Sequence, residues 1–185
     1  MAVIPVLRAR RPLVPGTRMA IRRTEPGSLA VGDTVVVLLE IADADPRVGT
    51  LGRIDARHEV FGGHAMLDVA GQSLVRVADL GDDGAEVTPV DVDERPDVDL
   101  EPTLAALRRY MAVRSEAGEG GDVHIELSRD PVTASHEVAS HLSVSGPEVQ
   151  DVLEAGTASE RLTTATRILE RETRLLEAIL GSGGR

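Results

Sequence analysis

The sequence contains no cysteine, no lysine and no tryptophan, and its only aromatic residues are Phe61 and Tyr110. Without cysteine the chain forms neither a disulfide bond nor a thiolate metal site, a composition that suits a reducing cytoplasm. The core must be built from aliphatic side chains. Single-stranded nucleic acid is usually held on aromatic platforms, and the net charge of −11 repels phosphate backbones. We therefore expect no nucleic-acid partner.

The absence of lysine excludes several kinds of catalysis, because all 20 basic residues are arginine. A P-loop, a Ser-Lys dyad and a Schiff base each need a lysine, and arginine stays protonated and cannot act as a base. The serines lack a G-x-S-x-G context, and no G-x-G-x-x-G glycine pattern occurs. We predict no catalytic residue and no cofactor. Two explanations stay open for the missing lysine: a GC-rich genome, or selection against tagging on lysine in a protein that handles tagged substrates.

Long apolar runs are also missing. No stretch of roughly 18 apolar residues, the length of a membrane-spanning helix, occurs. The first residues, Met1 to Leu7, are too few and too interrupted by Pro5 for a signal peptide. We expect a cytoplasmic protein without a membrane partner.

The first half of the sequence has the pattern of a small β-sheet domain, residues 1–92. Short apolar or alternating segments are separated by glycine-rich turns every eight to twelve residues or so, which is typical of a sandwich or partly open barrel. Turns are predicted at Phe61-Gly62-Gly63, at Gly71-Gln72 and at Asp82-Asp83-Gly84. Strands are predicted at residues 34–41, 48–57 (with a bulge or a close approach at its glycines), 64–69, 73–80 and 85–92.

An acidic linker, residues 93–101, precedes a helical subdomain at residues 102–180 and a flexible tail at 181–185. Pro102 is suited to a helix start, with Leu104, Leu107 and Met111 on one face. Further helix starts are predicted at the N-cap Asp130-Pro131 and at two capping boxes, Ser145 to Glu148 and Thr157 to Glu160.

The longest predicted helix covers residues 158–180. Its apolar stripe either packs in the core or pairs with a partner helix, and it consists of Leu162, Ala165, Leu169, Leu176 and Ile179. The fold class is thus α+β, a β-sandwich or pseudo-barrel followed by a helical bundle that ends in a long helix.

Two clusters of polar residues are candidate sites. The arginines Arg8, Arg10, Arg11, Arg18, Arg22 and Arg23 form a basic cluster, which is either a solvated face, an anchor for the acidic linker or an RNA-binding patch. His58 and His64 flank the Phe61 turn, and Glu59 or Asp68 could complete a metal site. Histidines on the surface are the simpler interpretation, and we predict no metal.

A colinear series of motifs resembles the N-terminal domain family of the Lon proteases. The helical half carries the more specific match. The connection from Pro26 to Asp33 is shorter than in the family, which has a helix there. The matching motifs are Leu13-Val14-Pro15-Gly16, Glu25-Pro26, Val48-Gly49-Thr50-Leu51-Gly52-Arg53-Ile54, Gly71 with Arg76-Val77, Asp130-Pro131, Val138-Ala139, His141-Leu142, Gln150, Leu153-Glu154 and Glu160-Arg161-Leu162.

The resemblance implies a PUA-like β fold joined to helices, without ATPase or peptidase domains in this sequence. It also implies the capture of unfolded or specific client proteins, with a protease or chaperone as the partner that receives them. Such capture needs exposed apolar surface, and the candidate protein-binding residues are Leu13, Met19, Phe61 and Met66. Phe61 and Met66 could instead fill the β core. The alternatives are a homo-oligomeric structural module and an RNA or small-ligand binder of the PUA-like type.

Overall fold

The computed structural model describes residues 3–23, 29–41, 45–60, 64–90, 97–119 and 125–183. A sheet of six strands precedes four helices, which confirms the expected α+β class. Contacts divide the chain into two compact units, residues 1–92 with 144–154 and residues 93–143 with 155–185. The elements are β1 (Val6–Ala9), β2 (Arg18–Arg23), β3 (Thr34–Leu39), β4 (Val48–Val60), β5 (His64–Gly81), β6 (Gly84–Pro89), α1 (Glu101–Glu116), α2 (Pro131–His141), α3 (Gly146–Glu154) and α4 (Ala158–Gly183).

The strands are arranged in the order β1-β3-β4-β5-β2, and β6 also pairs with β5. β1 runs parallel to β3, and the other pairs are antiparallel. The first half of β5 pairs with β2 and its second half with β6. An isolated bridge joins Ile4 to Ala85 through two backbone hydrogen bonds of 2.9 and 2.8 Å. This bridge links the segment before β1 to β6 and closes that part of the sheet into the expected pseudo-barrel.

The β3 strand shows why its sequence is a continuous apolar run rather than an alternating one. Val35 and Val37 lie in one core cluster, and Val36 and Leu38 lie in another. Because both faces of β3 are covered, every position from Val35 to Leu39 is buried. The strand was predicted over residues 34–41 and is found over Thr34–Leu39.

The predicted turn at Gly71-Gln72 is wrong, because β5 continues through it as one strand of 18 residues. A Cβ atom on Gly71 would lie 2.7 Å from the Val14 carbonyl oxygen and 3.1 Å from Leu13 Cγ. Glycine is therefore needed here for a close approach of the chain, not for a turn. The irregularity predicted for the preceding strand is confirmed, since β4 shifts register at Leu51/Gly52 and at Ile54/Ala56.

The second unit is built around α4, against which α1 and α2 pack. Of the face predicted for α1, Leu107 is fully buried, but Leu104 and Met111 are half-buried at its margin. The core-facing row of α1 consists of Thr103, Leu107, Tyr110 and Val113.

The predicted helix starts are confirmed by their hydrogen bonds. The Asp130 carboxylate accepts from the Thr133 N–H at 2.8 Å. In the capping box before α4, the Thr157 N–H donates to Glu160 at 3.0 Å and the Glu160 N–H donates to Thr157 Oγ1 at 3.1 Å. At α3, the Ser145 hydroxyl and N–H both donate to the Glu148 carboxylate. These bonds satisfy amides that a helix start leaves unpaired.

The α3 helix departs from the expectation of one helical subdomain over residues 102–180, because it packs on β3 and clusters with the sheet. The Gln150 side chain is 4% exposed and donates to the Val48 carbonyl oxygen at 2.8 Å. The Arg47 N–H donates to the Glu154 carboxylate at 3.1 Å. The buried side-chain amide of Gln150 thus fixes α3 to the start of β4.

Candidate functional site

The four predicted protein-binding residues do not form one surface. Leu13 is 1% exposed and belongs to the β core, where its carbonyl accepts from the Thr50 hydroxyl. Met19 is partly buried and packs against the same core. Phe61 lies outside the described residues. Met66 is half-buried on β5 and is the one described residue of the four that lies outside this core cluster.

Met66 lies on β5, the central strand of a surface that we call the outer face, formed by alternate residues of β2, β5 and β4. Side chains on one face of a sheet follow each strand with a period of two. The register sets three rows across these strands, which are Arg22, Met66 and His58; Ala20, Asp68 and Ala56; and Arg18, Ala70 and Arg53. The three β2 residues of these rows are exposed, and so are Arg53 and His58 on β4. The other four residues are half-buried.

The outer face has a small excess of positive charge. Asp55, in the β4 bulge, binds both Arg18 at 3.3 Å and Arg53 at 3.0 Å. His58 Nε2 lies 3.3 Å from the Asp68 carboxylate. Within the described ranges, Arg22 has no ion pair. Three arginines thus meet two aspartates around the apolar side chains of the face.

The predicted basic cluster is not one stripe along a sheet edge. Arg8 lies on β1 and binds Asp45 at 2.6 Å, whereas Arg18, Arg22 and Arg23 lie on β2. These two strands stand at opposite ends of the strand order. Positive charge is therefore concentrated along β2, whose sequence, RMAIRR, contains no acid.

The histidines do not gather into a metal site in the part of the chain that the structure describes. There, no three His, Asp or Glu residues are placed to hold one ion. Glu59, which could have completed such a site as a third ligand, instead forms an ion pair with Arg57 at 2.8 Å. His136 is 8% exposed, so the interpretation of every histidine as a surface residue is wrong at that position.

Sequence reasoning missed a buried arginine in the helical unit. Arg161 is fully buried; its Nε donates to Ser135 Oγ at 3.1 Å, and its NH1 group donates to the Ala155 carbonyl oxygen at 3.4 Å. The signal was its position beside Leu162, inside the apolar stripe of α4. A buried guanidinium needs several fixed acceptors, so we assign Arg161 to the architecture of this unit.

A groove of about 260 Å³ lies between α1 and α4, and it is lined by Ala106, Arg109, Glu170, Thr173 and Arg174. Ligand pockets usually measure roughly 300–1,000 Å³ and are mostly apolar. This groove is smaller, and three of its five lining residues are charged. It therefore gives little support to a small-molecule site.

The last turns of α4 expose apolar side chains. Of the predicted stripe, Leu162, Ala165 and Leu169 are buried, but Ile179 is 64% exposed. Leu175 is also 52% exposed. The stripe is therefore core in its first half, whereas in its second half Leu176 is half-buried and Ile179 is exposed. None of the described helices is both long and apolar enough to cross a membrane.

Comparisons with known proteins show the fold. No protein-family model and no curated protein matches the sequence. Among solved structures, the N-terminal domain of Mycobacterium avium complex Lon protease superimposes with a TM-score of 0.68 at 17% identity, over 91% of this chain and 98% of that one. The Lon N-terminal domain protein from Xanthomonas campestris gives a TM-score of 0.61 at 18% identity, over 88% and 96%.

Proposed function

We propose that this chain, which has the fold of a Lon N-terminal domain over most of its length, is a non-catalytic module that binds unfolded polypeptide. The observation that carries the proposal is the outer face. It joins small and flexible apolar side chains to exposed arginines on a rigid sheet.

The composition of this face suits an unfolded segment better than a compact ligand. Ala20, Ala56 and Ala70 leave room for another chain to lie close to the strands. Met66 offers a flexible thioether side chain that adapts to varied apolar groups. Arg22 and Arg53 supply donors for backbone carbonyls or carboxylates.

The test compares the binding of one client in its folded and unfolded states. A labelled model protein, reduced and carboxymethylated so that it stays unfolded, is titrated with the chain and followed by fluorescence anisotropy. We expect saturable binding to the unfolded form and none to the native form. Failure to bind several unfolded clients of different composition would remove the proposal.

Matched variants locate the binding on the outer face. Met66→Glu places a charge on the central strand of the face, and we expect it to weaken binding about tenfold, or ~1.4 kcal/mol. Val31→Glu is the control, because Val31 is 61% exposed in the turn before β3 and lies off the face. Equal affinities of the two variants would place the binding site elsewhere.

We further propose that the chain works in the cytoplasm as an adaptor, which passes its client to a protease or chaperone. Its cysteine-free sequence suits that compartment. Adding the chain to a cytoplasmic extract should speed the degradation or refolding of a bound client. Met66→Glu should lose this effect along with binding, and an unchanged client fate with the wild-type chain would contradict the adaptor role.

Self-assembly is the second candidate, and the exposed end of α4 favours it. Leu175, Ile179 and Leu180 are 52%, 64% and 37% exposed, and another copy of α4 would cover them. Light scattering after size exclusion tests this. A concentration-dependent dimer that Ile179→Glu abolishes is expected, and a strict monomer at high concentration would remove this candidate.

A further inference from the structure

β2 is the last strand in the strand order, and its one neighbour among the described strands is β5. In an antiparallel pair, successive residues direct their backbone N–H and C=O groups alternately toward and away from the neighbouring strand. The Gly71 N–H donates to the Thr17 carbonyl oxygen at 2.9 Å, which sets Thr17 toward β5. Arg18, Ala20 and Arg22 therefore direct their N–H and C=O groups away from the sheet.

Among the described residues, no strand pairs with this outer edge of β2. All three outward residues are exposed, and the Arg18 side chain is 78% exposed. In the described part of the chain, no backbone or side-chain partner is found for their outward amides and carbonyls. A row of unpaired backbone groups is a template on which another strand can add.

Charge decides which strand fits. If a second copy of β2 paired antiparallel about Ala20, Arg18 of each copy would stand opposite Arg22 of the other. Like charges directly opposite each other destabilise a strand pair. Pairing between the β2 edges of two copies is therefore disfavoured. Arg22 has no ion pair within the described residues, and Arg18 shares Asp55 with Arg53. An incoming strand that carries carboxylates would supply the missing partners.

We propose that the β2 edge binds an extended acidic segment of another polypeptide by strand addition. This inference rests on the proposed function and names its binding mode and the chemistry of its partner. The outward residues contribute backbone hydrogen bonds. Arg18 and Arg22 are four positions apart on one face, so the segment carries two acids spaced i and i+4, with a small or apolar residue between them opposite Ala20.

Peptide binding tests the spacing. The first peptide has two glutamates four residues apart around a central valine, in a threonine-rich background. The second has the same composition with the glutamates three apart, which places one of them on the opposite face. The third has lysines in place of the glutamates. We expect the first to bind at least tenfold more tightly than the others, and equal affinities would overturn the proposal.

Two protein variants test the edge itself. Ala20→Pro removes an outward N–H, and the bonds between β2 and β5 need no N–H from this position. We expect Ala20→Pro to weaken the binding of the first peptide at least tenfold. Ala20→Val keeps the N–H, and its affinity for the same peptide should stay within about threefold of the wild type. The double variant Arg18→Glu with Arg22→Glu should reverse the preference toward the lysine peptide. An unchanged preference would refute the role of charge.

A peptide-side experiment does not depend on how the variants fold. When the segment adds antiparallel to β2, N-methylation of the amide opposite Ala20 removes a donor to the edge, whereas N-methylation of the next amide removes one that faces solvent. With the wild-type chain, only the first change should abolish binding, and equal effects would contradict strand addition.

If the wild-type chain and Ala20→Pro bind unfolded clients equally, strand addition fails and the proposed function stands. If the wild-type chain binds no unfolded client, the proposed function fails.

Discussion

Replacing Gly71 by alanine tests the close approach that the structure finds at the centre of β5. The added Cβ would lie 2.7 Å from the Val14 carbonyl oxygen, 3.1 Å from Leu13 Cγ and 3.3 Å from Thr50 Cγ2. The Val14 oxygen is held in place, since it accepts from the Thr17 N–H at 3.1 Å and from the Thr17 hydroxyl at 2.7 Å. Leu13 is in the core, so neither neighbour can move cheaply.

Forcing extra atoms into a packed site costs about 1–3 kcal/mol. With a backbone oxygen as the nearest atom, we expect about 2 kcal/mol for Gly71→Ala, which lowers the folding equilibrium constant by roughly 30-fold. For a chain of this size, that corresponds to a fall of about 4–8 °C in Tm. Gly81→Ala is the matched control in the same strand, because a Cβ there meets nothing within 4 Å. Its effect should stay within about 0.5 kcal/mol.

Urea and thermal unfolding, followed by circular dichroism, measure both variants against the wild type. A Gly71→Ala variant as stable as Gly81→Ala would show that residues 13–17 do not pass so close to β5. It would favour the turn that the Gly71-Gln72 dipeptide suggests.

The other predictions concern the helical unit. The hydrogen bond from the Thr133 hydroxyl, and then the one from its N–H, lowers the pKa of Asp130 below its ordinary value of 3.8. The lowered pKa means that the carboxylate stabilises the fold above about pH 4 and loses this effect as the pH falls further. Asp130→Ala should lower the free energy of unfolding by about 1 kcal/mol at neutral pH. Asp130→Asn should keep the cap but lose this acid dependence. Urea unfolding at pH 3 and 7 measures both variants. Arg161→Ala should destabilise by about 2–4 kcal/mol through a cavity and lost hydrogen bonds, whereas Arg167→Ala, exposed on the same helix, should stay within about 0.5 kcal/mol in the same assay. Equal stabilities of Arg161→Ala and Arg167→Ala would contradict the burial of Arg161.

The sequence predicted the features of the fold that depend on local interactions. A helix start needs only a few neighbouring residues, and the caps at Asp130 and Thr157 are found where their spacing indicates. The apolar run of β3 and the bulged glycine strand β4 are likewise local patterns. The order of sheet before helices follows from where the hydrophobic period changes.

Features that depend on distant residues were missed or misinterpreted. Gly71 has the local signature of a turn, but its role is set by Leu13 and Val14, which lie far away in the sequence. Leu13 and Met19 were candidate surface residues because they lie near a turn. Leu13 is instead buried in the β core from the segment between β1 and β2, and the register of β2 turns Met19 toward the same core. The return of α3 to the sheet depends on the Gln150 contact with Val48, which no local pattern reveals.

For the proposed binding surface, the sequence offered single residues but not their arrangement. Apolar surface next to β strands was expected, and Met66 does lie on such a surface. The arginines of β2 were expected as a solvated face, a linker anchor or an RNA patch. That they flank an open strand edge could not be known without the pairing of β2 with β5.

Amide hydrogen exchange with a saturating unfolded client tests the central claim most directly. The account predicts that the client slows exchange in peptides covering β2, with the largest protection at the outward amides of Arg18, Ala20 and Arg22, and in β4 and β5 next to Met66. Protection confined to the last turns of α4, or the absence of any protection under conditions in which the client is bound, would contradict it.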